Sequence, residues 1–147
     1  MRDRLKFRVW HKKRKRMYEV LHLHTETWSN GGEWVTAKGF NIITQQDIHV
    51  QIEPKDGIIM QSTGLRDRDG KLIYEDDIIE FTDNVTINGS KTHVAKVEHN
   101  KEFNAYMYHA ECMGWYTINP SQNKRFKVKV IGNVYENPEL LEVENER

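Results

Sequence analysis

Apolar and polar residues alternate with a period of two along much of this chain, and no segment carries a sustained apolar stripe at the helical period of 3.6. In 5–10, Leu5, Phe7 and Val9 point one way and Lys6, Arg8 and Trp10 the other. In 48–53, Ile48, Val50 and Ile52 alternate with His49, Gln51 and Glu53. In 126–131, Phe126, Val128 and Val130 oppose Lys127, Lys129 and Ile131. Half-buried antiparallel strands give this pattern. Weaker alternation marks further strands at 17–23, 58–62, 77–82, 92–98, 103–108 and 115–118. Between them stand Asn30-Gly31-Gly32, Asp56-Gly57, Asp69-Gly70 and Asn88-Gly89, residues that tolerate the positive φ of hairpin turns. Many short strands with frequent turns predict a mainly β protein, a small barrel or sandwich with little helix.

Pro54-Lys55-Asp56-Gly57 divides an N-terminal β-strand region, 1–57, from a block of short strands, 58–147. The clearest helix start is Asn137-Pro138-Glu139: a capping residue, proline at the first helical position, and an acid favoured by the helix dipole. With Leu140 and Leu141 it is expected to form one or two turns that pin the C-terminal segment to the sheet.

The 147 residues carry no net charge, which removes any argument from overall attraction to nucleic acid or membrane. The distribution is uneven. Residues 1–16 hold nine Lys or Arg against one Asp, and the last twelve hold five Glu against one Arg. One cysteine, Cys112, excludes an internal disulfide and a Cys-rich zinc site. The basic N-terminus lacks the apolar run of a secretory signal, and no stretch approaches 18 apolar residues, so the expectation is a cytoplasmic protein without membrane contact.

Several motifs nearly match and fail. Gly64-Leu-Arg-Asp-Arg-Asp-Gly70-Lys71 has five residues between its glycines, where a phosphate loop needs four, and Leu72 stands where that loop needs Ser or Thr. Read as a calcium loop from Asp67, it puts Lys71 at position 5 and Gly70 at position 4. His22, His24 and Glu26 share one face of a strand but read as surface residues rather than ligands. His109 and Cys112 have no companion pair. No catalytic residue, metal site or cofactor is expected.

Lys12-Lys13-Arg14-Lys15-Arg16 is the strongest charge run. Lying between two strands, it reads first as a solvated hairpin loop. Its functional reading is a phosphate-contacting loop flanked by Trp10 and Tyr18, whose rings could stack on the bases of a single strand.

Three blocks carry a family resemblance: Lys6-Phe-Arg-Val-Trp10 with Met17-Tyr18; Met60-Gln-Ser-Thr-Gly-Leu-Arg-Asp-Arg-Asp-Gly-Lys71 with Ile73-Tyr-Glu-Asp-Asp-Ile-Ile79; and Val130-Ile-Gly-Asn-Val-Tyr-Glu-Asn-Pro-Glu-Leu141. Together they resemble the YopX family of phage and prophage proteins. The resemblance implies a mostly β fold with an SH3-like barrel, a bacteriophage or prophage origin, and no established enzymatic activity. Asp76-Asp77 departs from the Gly-Asp common in the family, so the turn entering that strand is expected to differ. Gly132-Asn133 is expected to mark a bulge or close backbone contact. Taken together, the leading expectation is a non-enzymatic interaction or assembly module that binds a protein partner or itself through exposed strands. A nucleic-acid-binding protein using residues 12–16 is the alternative, and an enzyme with a dispersed site is a third.

Overall fold

The computed structural model describes residues 2–24, 34–41, 45–83, 89–110 and 114–145. The chain divides into two compact units, residues 6–61 and residues 1–5 with 62–147.

The first unit contains β1 (Phe7–His11), β2 (Arg16–His24), β3 (Trp34–Asn41), β4 (Gln46–Ile52) and the first half of β5 (Gly57–Arg66). Its strands are antiparallel in the order β4-β3-β2-β1-β5. Val9, Tyr18, Ala37, Val50 and Ile52 form its core. Val9 and Trp10 are both buried although they point to opposite faces, so β1 is covered on both. β3 was not marked by alternation. Its Ala37 and Gly39 replace the usual branched residues, and a Cβ at Gly39 would stand 2.6 Å from Val50 Cγ2, so a larger residue there would force the Val50 side chain to shift. Gly57 does not have the expected positive φ, whereas Gly70 and Gly89 do, at 83° and 102°. The sheet of this unit ends within β5 at Gln61, the residue paired with Phe7, which is why the break falls there rather than at Gly57.

The second unit holds the rest of β5, β6 (Leu72–Tyr74), β7 (Asp77–Asp83), β8 (Lys91–Asn100), β9 (Ala105–Ala110), β10 (Gly114–Thr117) and β11 (Lys129–Asn133). Two short helices join them, α1 (Pro120–Arg125) and α2 (Glu139–Asn145), together with a single 3-10 turn at Arg2–Leu5. β6 pairs with β5; the remaining strands make an antiparallel sheet in the order β10-β9-β8-β7-β11. No pairing joins β10 to β11 among the described residues, so this is an open sheet as far as its hydrogen bonds go. Ile73, Ile79, Phe81, Val97, Tyr108, Phe126, Val128 and Val130 lie in its core. Phe81 contacts the rings of His93, Tyr108 and Phe126, and His93 sits opposite it in register on β8.

The alternation at 126–131 is real in burial but not in conformation. Phe126, Val128 and Val130 are all buried. Yet Phe126 ends α1, Lys127 is left-handed with φ 50°, and β11 begins only at Lys129. The Val128 amide donates to the Asn123 carbonyl and the Lys127 amide to that of Lys124, the paired bonds of a Schellman cap. Upstream, Asn119 accepts the Gln122 amide at 2.9 Å and Pro120 takes the first helical position.

α2 forms where Asn137-Pro138-Glu139 predicted it and packs on β8. The Asn137 side chain, however, does not start the helix. Its Oδ1 accepts the Asn133 amide at 3.4 Å and lies 2.5 Å from the point a Cβ on Gly132 would occupy. The ladder also shifts register between Val130 and Gly132. Gly132 thus marks both a bulge and a close contact.

Candidate functional site

The middle of the three sequence blocks forms the β5–β6 hairpin, and its side chains are spent largely on the fold itself. Thr63 Oγ1 donates to the Ile73 carbonyl at 2.8 Å and accepts the Leu65 amide. Ser62 Oγ accepts the Gly64 amide, and the pairing shifts register between Ser62 and Arg66. Asp67 is the centre of the arrangement. Its Oδ1 accepts the amides of Asp69 and Lys71, both at 2.9 Å, closing the hairpin tip. Its Oδ2 accepts the Val130 amide at 2.8 Å, while the Arg68 amide donates to the Val128 carbonyl. The hairpin is thereby bonded along β11, the strand that ends the sheet.

Asp76 has a φ of 63°, a conformation that glycine adopts without strain. Asp76 Oδ2 accepts the Tyr135 hydroxyl at 2.8 Å, and the Val134 amide donates to the Asp76 carbonyl. Asp77 Oδ2 accepts the Tyr74 amide at 2.8 Å. Asp67, Asp76 and Asp77 are therefore acceptors for backbone amides and a phenol. Among the described residues no three His, Cys, Asp or Glu side chains are placed to hold a metal ion.

A groove of about 370 Å³ opens between this hairpin and α1. Leu65, Pro120 and Asn123 line it from the two elements. Arg66, Arg68, Lys124 and Lys127 supply its charge. The Arg66 guanidinium is fixed, donating to the Gly70 carbonyl at 2.8 Å and to Asp3 at 2.9 Å. Arg68, Lys124 and Lys127 are exposed and have no ion pair among the described residues. Asn123 is buried; its Nδ2 reaches the Arg66 carbonyl at 3.5 Å, and its Oδ1 has no hydrogen-bond partner.

The basic run at 12–16 forms the exposed turn between β1 and β2, as a hairpin loop, with Lys15 in the left-handed region. Lys12 Nζ donates to the Lys55 carbonyl at 3.2 Å. Lys13 Nζ lies 3.0 Å from Asp56, and that hydrogen bond holds the Asp56 carboxyl below its usual range. Arg14, Lys15 and Arg16 remain exposed. Trp10 and Tyr18 are 6% and 8% exposed, so neither ring offers a face for a base. The stacking part of the sequence expectation is corrected accordingly.

His22 and His24 do share a strand face, with ring centroids 6.3 Å apart, and His24 Nε2 lies 3.1 Å from Thr36 Oγ1. Glu26 and Cys112 lie outside the described residues. His109 packs against Trp115, 5.1 Å between centroids, across the β9–β10 pair. No helix among the described residues is long and apolar enough to cross a membrane.

These features define a small, mainly β protein of two antiparallel sheets, with its characteristic sequence blocks used to lock a hairpin onto a sheet edge. The YopX protein family matches residues 6–142, and the chain belongs to it. The crystal structure of protein EF1440 from Enterococcus faecalis is similar, with a TM-score of 0.55 and 22% identity over 92% of this chain and 96% of that one. At that identity the likeness speaks for the fold. No curated protein matches.

Proposed function

We propose that this protein is a non-enzymatic assembly module, phage- or prophage-encoded and acting in the host cytoplasm, whose second unit associates with another copy through β10. The SH3-like reading of the family applies to the five short strands of that unit. The observation that supports the reading is the contrast between the two ends of their sheet. At one end the motif hairpin occupies backbone groups of Val130 in β11 and of Val128 just before it. At the other end β10, Gly114-Trp-Tyr-Thr117, carries no charge and no proline, the devices that keep edge strands apart. Trp115 on this strand is 50% exposed. By comparison, the edge strand β4 carries Asp47, in an ion pair with Lys38.

An uncharged strand pairs with its own copy without like-charge repulsion, and a two-fold axis through antiparallel β10 strands makes one continuous sheet. Four residues a side bury little area, so the contact is of the weak, transient class. Sedimentation velocity over a concentration series is expected to show a dimer forming at roughly 10–100 µM, the range of a contact near −6 kcal/mol. Thr117→Lys with Trp115→Lys should abolish it while leaving the circular dichroism spectrum unchanged. A wild-type protein that stays monomeric throughout, or a double variant that still dimerises, refutes the proposal.

A further inference from the structure

We propose that the groove between the β5–β6 hairpin and α1 binds single-stranded nucleic acid, gripping its phosphates from both banks. This rests on different residues from the assembly reading and stands or falls separately from it. Four cations line the groove, Arg66 and Arg68 on the hairpin bank and Lys124 and Lys127 on the helix bank. The one acid in its lining is Asp67, and both of its oxygens already accept backbone amides. Asp67 keeps its negative charge, but against four cations it leaves the lining net positive, and among the described residues no ion pair joins it to Arg68, Lys124 or Lys127. Lys127 adds to this. It holds a cation at the left-handed position of the Schellman cap, where glycine would sit without strain.

The shape selects among anions. A recess of about 370 Å³ is far larger than one inorganic ion and takes a nucleotide-sized part of a longer chain. Cations on two facing banks track a thin backbone between them, whereas a duplex can only lie across their rims. Leu65 and Pro120 offer an apolar surface to a base, as grooves for single strands do.

The test is fluorescence anisotropy of a labelled oligonucleotide against salt, with single-stranded and duplex forms of one sequence, on the full chain. Each phosphate contact to a single strand contributes about −0.7 to the logarithmic salt slope, so three free cations give a slope near −2. Binding should then weaken roughly 20-fold between about 50 and 200 mM salt. The variant Arg68→Gln, Lys124→Gln, Lys127→Gly should keep its melting temperature and lose most of that slope. A second variant with residues 12–16 replaced by Ser should keep it. Pyrophosphate at millimolar concentration should compete only weakly. The proposal is overturned if the groove variant binds with unchanged affinity and slope, if the 12–16 variant alone abolishes binding, if duplex is preferred, or if the wild type ignores oligonucleotides at low salt.

Discussion

Replacing Asp67 by Ala removes three hydrogen bonds at once, and the structure sets the size of the loss. The amides of Asp69 and Lys71 sit at an exposed hairpin tip and can turn to water, so each costs about 1 kcal/mol. The Val130 amide is buried, and stranding it without an acceptor costs about 1–3 kcal/mol. The total is about 3–5 kcal/mol, a large part of the stability of an ordinary domain. Urea denaturation followed by tryptophan fluorescence measures it. With a slope near 2 kcal/mol per molar, the midpoint should fall by about 2 M. Asp67→Asn should cost less than Ala, because one acceptor oxygen remains for either the hairpin tip or β11. Asp69→Ala is the control: its only ion pair, to Lys129, is 3.8 Å long and exposed, and its loss should change stability by less than about 0.5 kcal/mol. If Asp67→Ala lies within about 1 kcal/mol of the wild type, the claim that this motif is a structural lock is wrong.

Gly70→Val should destabilise by roughly 1–2 kcal/mol from backbone strain alone, since φ is 83° and a Cβ there meets no atom within 4 Å; thermal melts that coincide with the wild type would contradict the assigned turn. Substituting residues 12–16 by Ser should leave stability within about 0.5 kcal/mol, because all five side chains are exposed; a larger drop would show that the turn supports the fold. Burial raises the pKa of Tyr108 well above the ordinary tyrosine value, with the Tyr116 phenol adding to it, and raises that of Tyr106 less. Both groups are neutral in folded and unfolded chains below about pH 10; above it the unfolded chain ionises first, so stability should fall as pH rises from there. Absorbance at 295 nm should show a late fraction of tyrosine ionising together with unfolding, and a single smooth titration with all six tyrosines near pH 10 would count against the buried placement.

The strand architecture was readable because burial with a period of two leaves its mark on composition, and Val9, Val50, Ile52 and Val130 all went inside as the alternation required. What escaped it has specific causes. β3 was invisible because tight packing against β4 selected Ala37 and Gly39 over branched residues. α1 was overlooked although Asn119-Pro120 repeats the Asn-Pro signal used to find α2. Its six residues are too few to show a helical period, and the apolar alternation that follows hid its end. Trp10 looked available because alternation assigns one polar face to each strand, but β1 is covered on both. The groove cations were unreadable together. Arg68 stands far from Lys124 and Lys127 in sequence, and only the hairpin docked on β11 brings it beside them.

The bond from Asp67 to the Val130 amide spans 63 residues. During synthesis at roughly 5–20 residues per second, the hairpin therefore leaves the ribosome about 3–13 s before its anchor exists. In that interval one Asp67 oxygen has only water to bind, and the first unit, whose strands are all contained in residues 6–61, can already be folded. A nascent chain stalled before Val130 should accordingly show a protease-resistant N-terminal unit and a hairpin still open to cleavage.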